Sequence, residues 1–467
     1  MADFNIPPIR FKPVAGQTVR GDFDGGALSS DLGPLLLRSV DEQIGLTERL
    51  AAAIADQRHP AYVTHPVADL LAQRIYQVAS AYEDGNDANT LRFDPMFQMG
   101  LGRQPLDEDS ALASGATFSR LENAVSAKDI YRMAAGFVDQ FIAGYAEPPD
   151  AIVVDMDHTD DATHGQQAFC FYNHHYGGYC YLPLLLFEGL SGRFITAALR
   201  PGKRPSGAEN AMIIKRVLAR LRQAWPDTHI LLRGDSHFAN PELMALTVDD
   251  PLTDFLFGLG GNARLNRLAA PILENTQRQH AERCREAARL GARPPQATRT
   301  YEELTYAAGS WPITPRVILK AEVMALGANP RYVVTSLTDP DPEMLYATLY
   351  TARGEDENYI KALKNDLSAD RTSDSGFLAN HLRLFYAAAA YVLHHSLRTE
   401  VLAHTELAQA QPSTVIVKLF KIAVRVVRCK DRIKLHLPTG CPVAGLLTRV
   451  TEILYRVNLP PPQRQPA

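Results

Sequence analysis

Residues 151–160 read AIVVDMDHTD, a short β-branched run that ends in acidic residues. Before it, LLLRSVDEQIGLTERLAAAI and HPVADLLAQRIYQVASAY repeat apolar residues at three- and four-residue steps, which predicts helices. After it, CFYNHHYGGYCYLPLLLFEG, RFITAALRPG and HILLRGDSHF predict strands, and NAMIIKRVLARLRQAW predicts an amphipathic helix between the last two. This order predicts an α/β fold class with helices packed on a mixed sheet.

The length and composition indicate a globular protein of more than one domain. The chain has 467 residues, of which 46% are hydrophobic and 21% are charged. The start, MADFNIPPIR, lacks an apolar run after a basic residue, so no secretory signal is expected, and no apolar run is long enough to predict a membrane span. Five cysteines are few and odd in number, which suits a reducing cytoplasm better than a disulfide framework.

Changes in pattern divide the chain into five regions. They are a mostly helical N-terminal region at 1–150, the first part of the core at 151–257, a β-rich insertion at 258–340, the last part of the core at 341–400, and a small basic C-terminal region at 401–467. From residue 371 to residue 467 there are 13 Lys and Arg against 5 Asp and Glu, a balance of +8, whereas the whole chain has a net charge of −4. A basic end is compatible with nucleic-acid binding and equally with a solvated face.

Two of the predicted strands end in carboxylates. Asp155 and Asp157 share one face of the first strand because alternate residues point the same way. Asp235 follows another apolar strand directly after Gly234. Crowded carboxylates need a compensating cation or water, and Mg²⁺ binds to few carboxylates plus substrate phosphates. The alternative is that these acids face solvent or cap a turn, and either Asp155 or Asp157 can be the ligand.

A third carboxylate lies in a predicted helix, LYATLYTARGEDENYIKALKND, at residues 345–366. At about 100° per residue, Tyr350, Arg353, Glu357 and Lys364 fall within a stripe about 60° wide. The carboxylate can bind metal, and the two cations can hold phosphates. The alternative is a solvated face with incidental ion pairs.

These segments resemble a known family of enzymes. The spacing Tyr350-x2-Arg353-x3-Glu357-x6-Lys364 resembles the Tyr-Arg-Glu-Lys signature of DDE-type insertion-sequence transposases. VVDMDHTD and LRGDSHF resemble the two strand motifs of that family, and the branch that the chain resembles most is the thirteen-eighty branch of insertion sequences. The resemblance covers roughly residues 31–457.

The resemblance implies a ribonuclease H-like core in which Asp157, Asp235 and Glu357 are the catalytic carboxylates and the ligands of two Mg²⁺ or Mn²⁺ ions, with Asp155 as the alternative first ligand. It implies cutting at the inverted repeats of an insertion sequence and joining of the 3′ ends to target DNA by two-metal phosphoryl transfer. The residues expected to contact DNA are Tyr350, Arg353, Lys364, Arg233 and His237.

The expected partners are double-stranded DNA, as terminal inverted repeats and as target, and a second copy of the chain in the active DNA complex, with no membrane. The expected location is the bacterial cytoplasm, at the nucleoid. Two other functions stay open: a domesticated or inactive DNA-binding descendant, and a metal-dependent glycosyltransferase that uses Asp155 and Asp157 as its metal motif.

Overall fold

The computed structural model describes residues 7–456, so the ends of the first and last predicted regions, residues 1–6 and 457–467, lie outside the described residues. The strands among residues 7–456 are β1 Ile9–Val14, β2 Gln17–Gly21, β3 Leu28–Ser29, β4 Ala151–His158, β5 Asp161–Ala162, β6 Phe171–Asn173, β7 Gly178–Tyr181, β8 Leu184–Glu188, β9 Phe194–Ala198, β10 His229–Gly234, β11 Thr253–Leu259, β12 Ala297–Leu304, β13 Arg316–Met324, β14 Gly327–Thr335, β15 Val424–Arg428 and β16 Ile433–His436.

Helices make up most of the remaining regular structure. The α-helices of the described residues are α1 Gly33–Ile44, α2 Leu46–Ala51, α3 Val67–Ala79, α4 Asp87–Leu91, α5 Pro95–Gly100, α6 Gly115–Ala124, α7 Ala127–Ala143, α8 Gly207–Ala224, α9 Pro241–Val248, α10 Ala263–Arg289, α11 Asp356–Lys361, α12 Phe377–Ser396, α13 Pro412–Val415 and α14 Ala444–Arg456. Short 3-10 turns occupy Pro60–Tyr62, Glu108–Ser110 and Thr351–Glu355, and π-helical turns occupy Met344–Tyr350, Ala362–Asp366, Leu397–Val401 and Ile416–Phe420.

The chain divides into two compact units. Within the described residues, the first contains 7–125, 365–368 and 389–456, and the second contains 126–364 and 369–388. The first unit is mostly helical and carries the β1–β2 hairpin and a three-stranded sheet in the order β16-β15-β3. No helix within residues 7–456 is both long and apolar enough to cross a membrane.

The second unit is built on an eight-stranded sheet in the order β12-β13-β14-β11-β10-β4-β8-β9. At its centre β10 pairs in parallel with both β4 and β11, and the flanking pairs are antiparallel. The expected α/β fold with a mixed sheet is therefore confirmed. The segment expected as a β-rich insertion supplies β12, β13 and β14, which continue this sheet because β14 pairs with β11.

Local sequence explains where the helices beside the sheet begin. Ser206 caps α8 by accepting a hydrogen bond from the backbone N–H of Glu209, whose carboxylate accepts one in return from the backbone N–H of Ser206. Ser126 and Asp129 form the same reciprocal cap at the start of α7. Both arrangements satisfy backbone donors that a helix start leaves without partners.

Residue alternation separates the core from the polar face of the sheet. Ile152, Val154 and Met156 of β4 point into the main hydrophobic cluster, together with Ile230 and Leu232 of β10. The intervening residues of both strands therefore point to the opposite face. Both carboxylates of β4 and the arginine of β10 lie on that opposite face.

The helical segment 344–366 lies over this opposite face. Leu345 and Tyr346 form a second, smaller hydrophobic cluster with Leu256, Ile318 and Val333 of the sheet. Burying a side chain of this size stabilises the fold by about 1.5–3 kcal/mol. This packing brings the segment that carries the third predicted carboxylate against the strands that carry the first two.

Candidate active site

Asp157 and Asp235 lie side by side at the carboxyl ends of two neighbouring parallel strands. Gly234 of β10 pairs with Met156 of β4, so the next residues along each strand are these two aspartates. Ligand sites of α/β sheets form at such carboxyl ends. The two carboxylates are close enough for the charge of Asp235 to help raise the pKa of Asp157.

Asp155 occupies a different environment from Asp157. Its side chain is fully buried and accepts hydrogen bonds from Nε and Nη2 of Arg233 at 2.5 and 2.6 Å. The two residues are register partners on β4 and β10. Burial raises the pKa of Asp155 and Arg233 opposes that change. Because both oxygens of Asp155 already bind a guanidinium, the geometry favours Asp157 over Asp155 as a metal ligand.

Arg233 does not suit the predicted contact with DNA. Only 2% of its side chain is exposed, and its Nη1 donates a hydrogen bond to the carbonyl oxygen of Leu349 at 2.6 Å. Arg233 thus ties strand β10 to the helical segment that covers the sheet. We correct its expected role accordingly, because a side chain that is 2% exposed presents almost no surface to a phosphate.

Arg353 reaches the predicted catalytic aspartate. Its Nη1 donates a hydrogen bond to Oδ2 of Asp157 at 3.0 Å. Burial raises the pKa of Asp157 to about 6, with Arg353 lowering it and Asp235 raising it. The structure therefore brings Asp157, Asp235 and Arg353 together, and their catalytic and DNA-contacting roles stay predictions.

His237 lies against Asp235 at the rim of the site. The backbone N–H of His237 donates to Oδ1 of Asp235 at 2.9 Å, and its ring Nδ1 lies 2.9 Å from Oδ2. Burial alone would raise the pKa of Asp235, but the hydrogen bonds and charge of His237 lower it. The hydrogen bond to Asp235 raises the pKa of His237. His237 is exposed, so its outer edge is open to a ligand.

Lys364 and Tyr350 also reach the site. Lys364 Nζ donates to the carbonyl oxygen of Asp160 at 2.6 Å and to its Oδ1 at 3.0 Å, which fixes the loop that follows β4. Tyr350 is mostly buried beside Gly258, where an added Cβ would lie 2.5 Å from the phenolic oxygen. Burial raises the pKa of Tyr350 and Arg353 opposes that change.

Glu357, the third predicted carboxylate, does not join the cluster in this structure. Its side chain is 58% exposed and its Oε2 lies 3.8 Å from Nζ of Lys361. The neighbouring Asp356 is fully buried instead, and neither of its carboxylate oxygens has a hydrogen-bond partner. Burial, with repulsion from Asp155 and Asp157, raises the pKa of Asp356 to about 8.

The inward position of Asp356 follows from a local change of helix type. The prediction assumed a uniform α-helix, whereas residues 351–355 form a 3-10 turn. In a 3-10 turn the side chains at positions i and i+3 eclipse one another. Asp356 therefore lies beneath Arg353, and the next residue, Glu357, turns outward. The only sequence signal for this change is Gly354, a poor α-helix former inside the turn.

The donor set is one of hard oxygen ligands. Within residues 7–456 no group of three or more His, Cys, Asp or Glu side chains has the arrangement needed to hold a metal ion. Asp157 and Asp235 supply two neighbouring carboxylates, and Mg²⁺ is commonly held by one or two carboxylates, waters and substrate phosphates. The side chains present therefore fit a divalent cation that arrives with a phosphate-bearing substrate.

Comparison with known proteins gives a family match. The family model for transposase DDE domain group 1 matches residues 11–459. No curated protein matches the chain. Among solved structures, the chain is similar to a piggyBac transposase in a synaptic complex with hairpin DNA, at 13% identity over 83% of this chain and 80% of that chain, with a TM-score of 0.43.

Proposed function

Because this chain belongs to the family of transposase DDE domain group 1, we propose that it cuts DNA at the inverted repeats of an insertion sequence and joins the 3′ ends to target DNA. The family makes the protein a transposase, an enzyme that acts on DNA. The observation that supports cutting and joining of DNA by this chain is the register of β4 and β10, which makes Asp157 and Asp235 direct neighbours. Within the family, we propose the thirteen-eighty branch and a ribonuclease H-like core.

Asp157 and Asp235 are proposed as two of the ligands for a pair of Mg²⁺ or Mn²⁺ ions. DDE transposases generally use divalent metal ions, and the two side chains offer the oxygen donors that these ions prefer. When bound, such ions polarise the phosphoryl group and activate the attacking oxygen. Asp157 carries an Arg353 hydrogen bond, so a metal ion and the guanidinium would share this carboxylate.

The chain's own cations would hold and orient the DNA backbone. Arg353 has a planar guanidinium beside Asp157, a geometry suited to a phosphate next to the cut. Lys364 fixes the loop at Asp160 while its ammonium stays partly exposed. His237 presents an exposed edge next to Asp235. Tyr350 packs beside Gly258 and supports the turn that carries Arg353.

For the third carboxylate we propose Glu357, as the Tyr-Arg-Glu-Lys spacing indicates. Its side chain is 58% exposed and its only ion-pair contact among residues 7–456 is Lys361 at 3.8 Å, so it can turn toward a metal ion. Asp356, in contrast, is enclosed by the fold. Glu357 would move inward when DNA and metal bind.

The proposed partners are the terminal inverted repeats, target DNA and a second copy of the chain in the active complex. Each end of a mobile element requires one catalytic site, so two ends require at least two subunits. The helical region before residue 126 and the basic strands β15 and β16 are the surfaces that we propose for binding the element's ends. We propose that the protein acts at the bacterial nucleoid in the cytoplasm, where such a DNA substrate would lie.

One observation favours a second candidate, a DNA-binding descendant without catalytic activity. Glu357 lies outside the carboxylate pair, so the triad is incomplete in this conformation. The glycosyltransferase alternative has no such support, because family membership contradicts it and Asp155 is occupied by Arg233.

The experiment that tests the proposal is cleavage of a labelled duplex that carries the element's own terminal repeat, with Mg²⁺, Mn²⁺ or EDTA. We expect metal-dependent cutting at the repeat end. Binding without cutting under any metal would support the inactive descendant, and absence of both binding and cutting would refute the transposase proposal for this repeat.

A further inference from the structure

A pocket lies beside the carboxylates, between the β6–β7 hairpin and the loop at residues 202–205. Its volume is about 500 Å³, within the range of about 300–1,000 Å³ that is usual for small-molecule sites. The residues that matter here are Tyr172, His174 and Tyr176 from the hairpin, Lys203 and Arg204 from the loop, and His237. We call it the hairpin pocket.

The two walls of the hairpin pocket are fastened to one another. The side-chain amide of Asn173 donates a hydrogen bond to the carbonyl oxygen of Gly202 at 3.0 Å. A Cβ at position 202 would collide with the carbonyl oxygen of Cys180, so glycine is required for the loop to approach the hairpin this closely. Lys203 Nζ lies 4.1 Å from the centre of the Phe171 ring. Specific contacts therefore hold the two walls of the pocket together within the second unit.

The pocket combines aromatic rings with positive charge. Tyr172 and Tyr176 are 48% and 41% exposed, which is unusual for side chains that could bury a large apolar area. Neither Lys203 nor Arg204 makes an ion pair with any residue in the range 7–456. Proteins bind single-stranded nucleic acid with exposed aromatic rings, on which bases stack, and with nearby cations that contact the phosphates. The hairpin pocket offers both kinds of side chain, and neither of its two cations is engaged by a carboxylate of the described residues.

The pocket adjoins the two predicted catalytic carboxylates. His237 lines it and contacts Asp235. Burial raises the pKa of Tyr176 to about 12, and the charges of Asp160, Asp157 and Asp235 add to this rise. His158 also lines it, and its backbone N–H donates to Oδ1 of Asp157 at 2.9 Å. A ligand in the pocket would therefore be continuous with whatever phosphate lies at the carboxylates.

We propose that the hairpin pocket binds an unpaired nucleotide next to the cut, with its base stacked on Tyr172 or Tyr176 and its phosphate held by Lys203 and Arg204. This inference rests on the proposed function, because it places the nucleotide relative to a cut phosphate at Asp157 and Asp235. Fully paired DNA would gain nothing from the rings, since its bases already stack within the duplex.

Two DNA probes in EDTA test this proposal without cleavage: a blunt duplex with the terminal repeat, and the same duplex with a short single-stranded overhang at the cut. We expect wild type to bind the overhang probe more tightly. At least one of the variants Tyr172→Ala and Tyr176→Ala should weaken binding of that probe by roughly 5- to 150-fold, from about 1–3 kcal/mol per stacked base, and leave the blunt duplex unchanged. Wild-type overhang binding in both variants would overturn the proposal.

Controls separate stacking from misfolding. Tyr455→Ala removes a tyrosine that is 93% exposed outside the pocket and should bind both probes like wild type. Tyr176→Phe keeps the aromatic ring and should bind the overhang probe like wild type. Lys203 and Arg204 are exposed, and Lys203→Ala and Arg204→Ala should reduce the salt dependence of overhang binding. For each phosphate contact that is lost, the slope of log binding constant against log salt concentration should become shallower by about 0.7.

Equal binding of both probes by wild type, or an equal loss of both probes in the tyrosine variants, would overturn the proposal. That result can coincide with normal metal-dependent cleavage, in which case the transposase function stands and only the nucleotide site is refuted. Conversely, overhang binding that depends on Tyr176, without cleavage under any metal, would support the nucleotide site and refute the catalytic proposal.

Discussion

Arg233 and Asp155 occupy opposite positions on adjacent parallel strands, and Arg233 donates two hydrogen bonds to the Asp155 carboxylate, with 2% or less of either side chain exposed. The third donor of Arg233 holds the carbonyl oxygen of Leu349. This pair thus connects β4, β10 and the turn that carries Arg353. The two aspartates of VVDMD have different environments as a result: Asp155 supports the sheet, and Asp157 faces the site.

Replacing Arg233 by Met should destabilise the fold by about 3–5 kcal/mol, because it leaves the Asp155 carboxylate buried without its partner. Urea denaturation measures the loss. Arg299→Met is the matched control in the same sheet: Arg299 is 53% exposed, and its partner Glu322 keeps Lys320 and Asn329. We expect about 1 kcal/mol or less there. Equal losses of unfolding free energy in both variants would show that the buried pair of Arg233 and Asp155 stabilises the fold no more than an exposed ion pair does.

Asp157→Asn and Asp235→Asn should each reduce metal-dependent cleavage on the order of a thousandfold or more, since a lost metal ligand removes several kcal/mol of transition-state stabilisation. Binding of the uncut repeat, measured by gel shift, should persist. Asp155→Asn should act mainly on the free energy of unfolding, with cleavage retained by the folded fraction. Cleavage that survives Asp157→Asn but not Asp155→Asn would move the first ligand by two residues.

The carboxylate pair was predictable because strand geometry is regular. Alternation placed Asp155 and Asp157 on one face, and an apolar strand before Asp235 placed it at a strand end. Their adjacency depends on β4 and β10 being neighbours in the sheet, although the five strands β5 to β9 and helix α8 separate them in sequence. Neither that order nor the pairing of Asp155 with Arg233 follows from sequence spacing, because both are set by tertiary contacts.

The helical segment was less predictable because it changes helix type along its length. A uniform 100° rotation put Glu357 on the face of Arg353, but the 3-10 turn at residues 351–355 puts Asp356 there. Arg353 and Lys364 still reach the site, since long flexible side chains tolerate the change. A short carboxylate has no such reach, so its position depends on the exact rotation of the turn.

The pair Asp356→Asn and Glu357→Gln decides which residue supplies the third carboxylate. Both variants keep the size of the side chain and replace its carboxyl group by an amide that cannot ionise. We expect Glu357→Gln to abolish cleavage with little change in stability, because Glu357 is exposed. We expect Asp356→Asn to retain cleavage and to keep or increase the free energy of unfolding, because burial and the neighbouring Asp155 and Asp157 favour the uncharged form of Asp356, which the amide resembles. Loss of cleavage in Asp356→Asn alone would assign the third ligand to Asp356.

Asp161 should make the stability of the protein fall as pH rises. Burial raises the pKa of this carboxyl to about 8, although the Thr372 hydroxyl donates a hydrogen bond to its Oδ2 at 2.8 Å. An unfolded aspartate loses its proton near pH 4. Between these values the folded state binds one more proton, so the contribution of Asp161 is fully present below about pH 4 and is lost as pH rises toward about 8, with a slope of up to about 1.4 kcal/mol per pH unit.

Asp161→Asn tests that slope, because an amide resembles the protonated carboxyl and does not titrate. Urea unfolding should be measured at several pH values between 5 and 7. Over this range the free energy of unfolding of the variant should rise relative to that of wild type by up to about 1.4 kcal/mol for each pH unit. Asp431→Asn, at an exposed position, should give a curve parallel to wild type. Parallel curves for Asp161→Asn as well would mean that Asp161 is ionised in the folded protein. The ammonium of Lys364, which is hydrogen-bonded to the adjacent Asp160 and whose charge lowers the pKa of Asp161, would then outweigh burial, so the same result would connect the loop after Asp157 to the lysine of the predicted signature.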